Sequence, residues 1–265
     1  MNNNKVVALI QARMGSSRLP GKILKKLEGM PVIWHIWNRL NSVSEIDEVV
    51  VATSKDSSND ILIDNLIKFN IQYFRGSEDN VLDRFYDAAS LMDTDYVIRV
   101  TADCPLIDPY WVSKAIKAIL KDVSLDYLAL PTGAGVMYEK INKLPDGLDT
   151  EIFKYSALKR AWEEAKDPLD RGEAVTSYIW RNKEKFKTSS IYPKKNYGDM
   201  RWTLDTEADF SFVKEIYKEL YPINSDFNFD DILEILEKNP ELSKINASEV
   251  DQVKYAEYYE NEGKE

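Results

Sequence analysis

The sequence predicts an α/β protein whose mainly parallel sheet is flanked by helices on both faces. Three observations lead there. Short strands alternate with amphipathic helices through the first half of the 265 residues, which is the pattern of βαβ units. The run Val49, Val50, Val51 is β-branched at consecutive positions, so both faces of its strand are apolar, as in a parallel strand covered on either side. The segment ALIQARMGSSRLPGK, Ala8 to Lys22, then sets a loop with glycines and cations directly after the first apolar run, where open parallel sheets place their ligands.

The elements follow in order. Residues 6–10 read as the first buried strand, and residues 31–43 as a helix in which Ile33, Ile36, Trp37 and Leu40 recur at helical spacing. A second strand over 48–53, a helix over 59–69, a short strand at 72–74, a helix over 81–92 and a strand over 96–101 complete the series. Right-handed crossovers fold such a series into an open sheet whose ligands lie beyond the carboxyl ends of the strands. Four loops thereby share one crevice: residues 11–22, Thr53 with Ser54, Arg75 with Gly76, and residues 102–108. After Pro109 the sequence predicts a helix to Lys121, a strand near 125–130 and a glycine- and proline-bearing loop reaching Gly147. Strands over 148–153 and 187–192 are expected around helices at 155–165 and 173–183, followed by a short strand at 201–205. Two amphipathic helices, 209–220 and 230–236, lead to a charged tail over 248–265, read as frayed or packed on a partner.

Composition narrows the function. With 44% hydrophobic residues the chain can bury a substantial core. A formal charge of −10 argues against a nucleic-acid binder, which needs a basic surface to displace counterions. The single cysteine, Cys104, excludes an intramolecular disulfide and a cysteine-based zinc site and fits a reducing compartment. MNNNK runs directly into the first strand without an apolar signal segment, and no apolar run approaches the roughly 18 residues of a membrane span. The expectation is a cytoplasmic protein with no membrane partner.

The first loop suits polyphosphate. Gly15 and Gly21 allow backbone conformations that converge N–H groups on an anion. Arg13 and Arg18 add planar forks and Lys22 a compact charge. Five residues separate the two glycines and Ile23 follows Lys22, so the loop is not a Walker A loop; the G-x-G-x-x-G spacing is also missing. A surface loop with solvated charges is the alternative, and the position after an apolar strand argues against it.

Two carboxylates could face that loop. Asp103, in TADCPLID, ends an apolar strand, and Pro105 stops the ladder there. Mg²⁺ takes one or two protein carboxylates and fills the remaining positions with water and phosphate oxygens; Asp205, in RWTLDTEADF, is the second candidate, although it also reads as a helix N-cap. Asp108, before Pro109, reads as a cap. Arg75 follows a strand and reads as a nucleotide contact or a solvated loop residue. Arg84, with Asp83 at a helix start, could face the crevice or form an internal ion pair. Asp149 and Glu151 alternate on a predicted strand, so both point to one face and could hold acceptor hydroxyls. His35 in the apolar WHIW segment, Cys104 and the six tryptophans read as packing residues.

Six segments, IQARMGSSRLPGK, VVVATS, FRGSEDNVLDRFYDAA, VIRVTADCPLIDP, GLDTEIF and RWTLDTEADF, together resemble the SpsF-like cytidylyltransferases of spore-coat polysaccharide biosynthesis, relatives of the enzymes that activate KDO and sialic acid as CMP conjugates. The resemblance spans roughly residues 5–215. It implies a Rossmann-like nucleotidyltransferase fold, CTP as donor, a small-molecule acceptor, Mg²⁺ on Asp103 and Asp205, Arg13 and Lys22 on the triphosphate, and a homodimer formed through the region after Leu130. Arg13, Lys22, Asp103 and Asp205 are the expected catalytic residues. Gln11, Ala12, Arg13, Gly15, Ser16, Ser17, Arg18, Lys22, Thr53, Arg75, Ala102 and Asp103 are expected at the nucleotide; Arg84, Asp149, Glu151 and Glu173 are expected at the acceptor. One domain would span 1–247, with a nucleotide-binding half over 1–108, an acceptor-binding and dimerising half over 109–247 that includes a small β-containing insertion after residue 130, and a tail over 248–265. Where many relatives read Arg-Glu-His-Val-Thr, this chain has Arg171, Gly172, Glu173, Ala174, Val175 and Thr176. The missing histidine bears on the acceptor. Two alternatives stay open: a sugar-1-phosphate nucleotidyltransferase using another nucleoside triphosphate, and a nucleotide-binding protein without catalysis.

Overall fold

The computed structural model describes residues 4–132 and 142–249. Strand β1 (Val6–Gln11) leads through a long loop and a single helical turn (Lys22–Leu24) to a small hairpin of β2 (Lys26–Leu27) and β3 (Met30–Pro31). Then come α1 (Val32–Asn41), β4 (Glu48–Ser54), α2 (Asp60–Lys68), β5 (Gln72–Gly76), α3 (Val81–Leu91), β6 (Tyr96–Thr101) and α4 (Pro109–Lys121). The second half supplies β7 (Tyr127–Ala129), β8 (Glu151–Lys154), α5 (Tyr155–Glu164), α6 (Pro168–Arg171), α7 (Ser177–Arg181), β9 (Thr188–Ser190), α8 (Glu207–Leu220) and α9 (Phe229–Lys238).

Seven strands form one sheet in the order β5-β4-β1-β6-β8-β7-β9. β5, β4, β1 and β6 pair in parallel, β8 is antiparallel to both neighbours, and β9 pairs parallel to β7. Alternate residues of β1 bury to opposite faces. Val6, Ala8 and Ile10 join a core with α1, α2, α4, α8 and α9, whereas Val7 and Leu9 join one with α3, α5 and α7. The two-sided burial of Val49 to Val51 has the same origin.

Several expectations need correction. Strand β8 begins at Glu151, so residues 148–150 are not part of it and Asp149 does not alternate with Glu151 on one strand. Gly147 has φ +104° and its N–H donates to Asp149 Oδ2 at 3.0 Å, a local turn that replaces the ladder. Residues 201–205 form no strand; Arg201 makes an isolated bridge to Asp146. The helix expected over 173–183 contracts to α7, because the Glu173 carbonyl accepts from Gln11 and Arg99 instead of from a helical partner. The hairpin of β2 and β3 was not anticipated. Its turn residues Glu28 and Gly29 have φ of 44° and 87°, as a two-residue hairpin turn requires. Strands after residue 130 join the main sheet; the tail beyond 249 and residues 133–141 of the expected insertion lie outside the described residues.

Candidate active site

The chain adds β4 and β5 on one side of β1 and then crosses to place β6 on the other. The carboxyl ends of β1 and β6 therefore flank the point where strand order reverses, and their loops face each other across it. Ala102 N–H donates to the Gln11 carbonyl at 3.0 Å, which ties the two loops at their roots. Further out, the first loop is held by the buried Leu19 and by Asn59, whose Oδ1 accepts from Met14 N–H at 2.8 Å. Gly21 has φ +68° and turns the chain into the helical turn that carries Lys22. Gly15 needs no such freedom, since its φ is not positive and the space beside it is open.

Lys22 ends between two carboxylates. Its Nζ lies 3.0 Å from Asp103 Oδ2 and 2.8 Å from Asp205 Oδ1, with its side chain 12% exposed. Burial disfavours the ammonium, but Asp103 and Asp205 outweigh it and hold the Lys22 pKa above the ordinary lysine value. Burial likewise opposes ionisation of Asp103, yet Lys22 and a hydrogen bond from Thr101 keep it below the usual carboxylate range. The pairing joins residues far apart in sequence because Leu204 N–H donates to the Asp103 carbonyl at 2.8 Å and Thr203 Oγ1 donates to it at 3.2 Å. Asp205 is not the cap of α8: Thr206 accepts from Asp209 N–H and Asp209 returns the bond, a capping box that leaves the Asp205 side chain for the crevice.

A further cation network supports Asp205. Arg18 approaches its Oδ2 at 3.1 Å and Arg201 at 3.3 Å. Arg201 also grips the fully buried Asp209 with Nε at 2.9 Å and reaches Asp146 Oδ2 at 2.8 Å. Burial and the neighbouring Asp149 push the Asp146 carboxyl up to about 8 despite Arg201. Burial raises Asp149 to about 6, opposed by hydrogen bonds from Thr132 and from Gly147 N–H. Five aspartates from three segments, Asp103, the pair Asp146 and Asp149, and the pair Asp205 and Asp209, thus gather at the end of the sheet. Asp146 and Arg201 were not among the expected residues; the i, i+4 and i, i+8 spacing of Arg201, Asp205 and Asp209 was the available signal.

Beside this cluster lies a second one. Arg13 pairs with Glu173 and lies 3.8 Å from Glu78. Glu151, buried on β8, accepts hydrogen bonds from Arg99, Tyr127 and Thr176. Arg99 also donates to Gln11 Oε1 at 2.8 Å and to the Glu173 carbonyl at 2.9 Å. A cation inside the otherwise apolar strand VIRVT was the sequence signal for Arg99. Glu151 and Asp149 therefore sit in different settings, Glu151 beneath Arg99 and Asp149 beside Cys104, whose Sγ is 3.9 Å from Asp149 Oδ2.

The other expected residues fall into two groups. Ser17 and Arg18 are exposed on the loop, and Ser16 Oγ accepts from Leu19 N–H at 3.3 Å within it. Thr53 is buried near the end of β4, and its Oγ1 finds no hydrogen-bond partner among the described residues. Arg75 is occupied locally, donating to the carbonyls of Ser54, Lys55 and Asp56 and pairing with Asp60 at 2.8 Å. Arg84 is 1% exposed and donates to the carbonyls of Ser77 and Glu78, so it braces the loop before α3 rather than projecting into the crevice. Asp83 accepts from Trp162 Nε1 at 2.7 Å. Asp108 caps α4 through Trp111 N–H at 2.9 Å. His35 is buried with Nε2 2.8 Å from the Leu27 carbonyl, and burial lowers it to about 4; burial pushes the Cys104 thiol up, away from nucleophilic reactivity.

The donor set fits Mg²⁺. Among the described residues no group of three or more His, Cys, Asp or Glu side chains is arranged to hold a metal, but Asp103 and Asp205 already converge on one cation, the Lys22 ammonium. Two hard carboxylates with positions left for water and phosphate are what Mg²⁺ uses. Among the described residues no helix is long and apolar enough to cross a membrane.

A doubly wound sheet whose first loop sets cations against carboxylates at the switch point suits a polyphosphate ligand, and the family match makes the chain a nucleotidyltransferase. Residues 7–242 match the family model described as cytidylyltransferase, and the chain belongs to that family, whose members transfer CMP from CTP. It is 34% identical to an uncharacterised protein of Methanocaldococcus jannaschii over 97% of this chain and 100% of that protein. It is 29% identical to the spore coat polysaccharide biosynthesis protein SpsF of Bacillus subtilis, over 91% of this chain and 97% of the relative. The solved structure of a cytidylyltransferase from Leptospira borgpetersenii superposes with a TM-score of 0.81 at 29% identity, covering 91% of this chain and 97% of the other.

Proposed function

We propose that this cytidylyltransferase joins CMP to an anionic acceptor, a sugar acid or a phosphorylated small molecule, in surface polysaccharide synthesis in the cytoplasm, as a homodimer with Mg²⁺. The observation that carries the reading is the meeting of Lys22, Asp103 and Asp205 at 2.8–3.0 Å where β1 and β6 end. An acceptor oxygen attacks the α-phosphorus of CTP, the bond from that phosphorus to the bridging oxygen breaks, and pyrophosphate leaves with its electrons. Arg13, Arg18 and Lys22 bind the triphosphate and neutralise charge that grows on the leaving group. Asp103 and Asp205 would hold Mg²⁺, which would supply Lewis-acid stabilisation of the phosphoryl oxygens.

The acceptor preference follows from the proton. A hydroxyl nucleophile needs a base, and the segment from Arg171 to Thr176 offers no histidine for that role, with Ala174 in the place of the one that the resemblance implies; the only histidine, His35, is buried on α1. A carboxylate or phosphate acceptor is already ionised and needs only positioning. The purified protein with Mg²⁺ should release pyrophosphate from CTP with at least one member of a panel of sugar acids, sugar phosphates and other phosphorylated metabolites. Silence across the panel sinks the reading, and a greater thermal stabilisation by UTP, dTTP or GTP than by CTP would shift the donor.

A further inference from the structure

We propose that Lys22 is a cation latch: without nucleotide its ammonium occupies the carboxylate pair and excludes a divalent ion, and arrival of a triphosphate draws it away. The inference rests on the donor reading above. It adds a linkage between metal and nucleotide that the presence of the two aspartates does not itself require.

Geometry leaves little room for both cations. Lys22 Nζ contacts Asp103 Oδ2 and Asp205 Oδ1 at once, and Asp205 Oδ2 is shared by Arg18 and Arg201. The second oxygen of Asp103 faces the Cys104 thiol at 3.7 Å, a weak donor that gives no counter-charge. A divalent ion bridging the two aspartates would lie within contact distance of an ammonium that is itself largely buried, 12% exposed. Like charges at such a separation, away from bulk water, repel strongly. Lys22 must therefore leave for the metal to enter, and in leaving it needs another anion.

Only part of the residue is free to do this. The backbone of Lys22 is fixed, because its N–H donates to the Leu19 carbonyl at 3.2 Å and its carbonyl accepts from Lys25 N–H at 3.2 Å. Its four-carbon stem can still swing the ammonium by several ångströms with no backbone change. A triphosphate cradled by the first loop offers the replacement anion, and Arg18, 61% exposed, can move with it. Metal and nucleotide then bind with positive coupling, and the metal alone binds poorly.

The test follows Mn²⁺ by electron paramagnetic resonance, without acceptor and without turnover. Wild-type protein should bind Mn²⁺ alone at least about tenfold more weakly than Lys22→Met, and Lys22→Arg, which keeps the charge, should stay weak. Should Lys22→Met fail to fold, Lys22→Gln takes its place, and a second readout uses the wild type. Its Mn²⁺ affinity should rise at least about tenfold with saturating CTP, after correction for Mn²⁺ held by free CTP. Equal Mn²⁺ affinity of wild type and Lys22→Met, or no rise with CTP in a protein that CTP stabilises, overturns the latch. Failure of CTP to stabilise the wild type at all overturns the donor reading instead, while the comparison of Mn²⁺ alone still stands.

Discussion

Replacing Arg201 with Met should cost the fold far more than an ordinary ion pair is worth. Arg201 is 9% exposed and serves three aspartates: Asp209 through Nε at 2.9 Å and a second nitrogen at 2.9 Å, Asp146 at 2.8 Å, and Asp205 at 3.3 Å. Met fills most of the same volume but leaves Asp209, 0% exposed, as a carboxylate without a counter-cation. Its remaining partners, Asn246 and the N–H groups of Asp205 and Thr206 at 3.0 Å, are neutral. Removing one member of a buried pair costs about 3–5 kcal/mol. At about 2–4 °C per kcal/mol for a chain of this size, that is a fall in Tm of roughly 10 °C. Urea unfolding at pH 7 measures it, with the midpoint falling at an unchanged slope. Arg201→Met combined with Asp209→Asn should recover much of the loss, since the orphaned charge is gone. A loss under about 1 kcal/mol for the single variant would refute the view that the buried charge, not the surface pairs around it, dominates here.

Asp103→Asn should lower the rate of pyrophosphate release by at least about a hundredfold while Tm stays within a few degrees, a split that a purely structural aspartate would not give. Gly147→Ala should be severe, because the new Cβ would meet Thr203 N at 2.4 Å and Trp202 C at 2.5 Å at a φ of +104°; a loss of about 2–4 kcal/mol by urea unfolding is expected. Gly15→Ala, with nothing within 4 Å, should stay within about 0.5 kcal/mol of wild type in the same assay. Ligand-free stability should also fall with pH. Asp146 at about 8 and Asp149 at about 6 stand above their unfolded value of 3.8, so the native state holds protons that the unfolded chain has lost. His35, lowered from 6.5 to about 4, has the opposite sign and offsets one of them below 6.5. Between pH 6.5 and 8 Asp146 is left uncompensated, giving a loss of at most about 1.4 kcal/mol per pH unit. Asp146→Asn should flatten that limb; an unchanged slope would dismiss the assignment.

Period and position made the first half legible. Val6 to Ile10, the triple valine of β4 and Tyr96 to Thr101 carry enough β-branched and apolar side chains to fix strands, and the crossover rule fixes their shared edge. Lys22 and Asp103 could be placed at that edge from the loops after the first and fourth strands and Asp205 from the segment RWTLDTEADF, and the fold brings the three side chains together. Residues 148–150, just after Asp146, and residues 201–205 were misread as strand for one reason. Their backbone is held by contacts distant in sequence, Asp146 N–H to the Met200 carbonyl and Trp202 N–H to the Asp146 carbonyl, and apolar residues in such a segment mimic a strand pattern without its ladder. Arg84 and Arg75 look alike in sequence to a ligand-facing arginine. Only the carbonyls they satisfy distinguish them.

A chain of formal charge −10 that accepts a polyanion has to concentrate its cations. Arg13, Arg18 and Lys22 do this within ten residues, but in the absence of ligand each is already matched: Arg13 to Glu173, Arg18 to Asp205, and Lys22 to Asp103 and Asp205. Pairing them internally keeps three cations from repelling one another while the crevice stands open, and Lys22 helps hold the Asp103 carboxyl below the usual carboxylate range. The same arrangement means that a triphosphate cannot simply be added to the site, because every cation it needs must first give up a carboxylate. On the latch proposal, binding is an exchange of partners, in which a nucleotide would take the loop cations and leave the carboxylates for a divalent ion. Arg201 is tied to Asp209 and Asp146 as well as to Asp205, so in such an exchange it would hold Asp205 in place while Lys22 and Arg18 move.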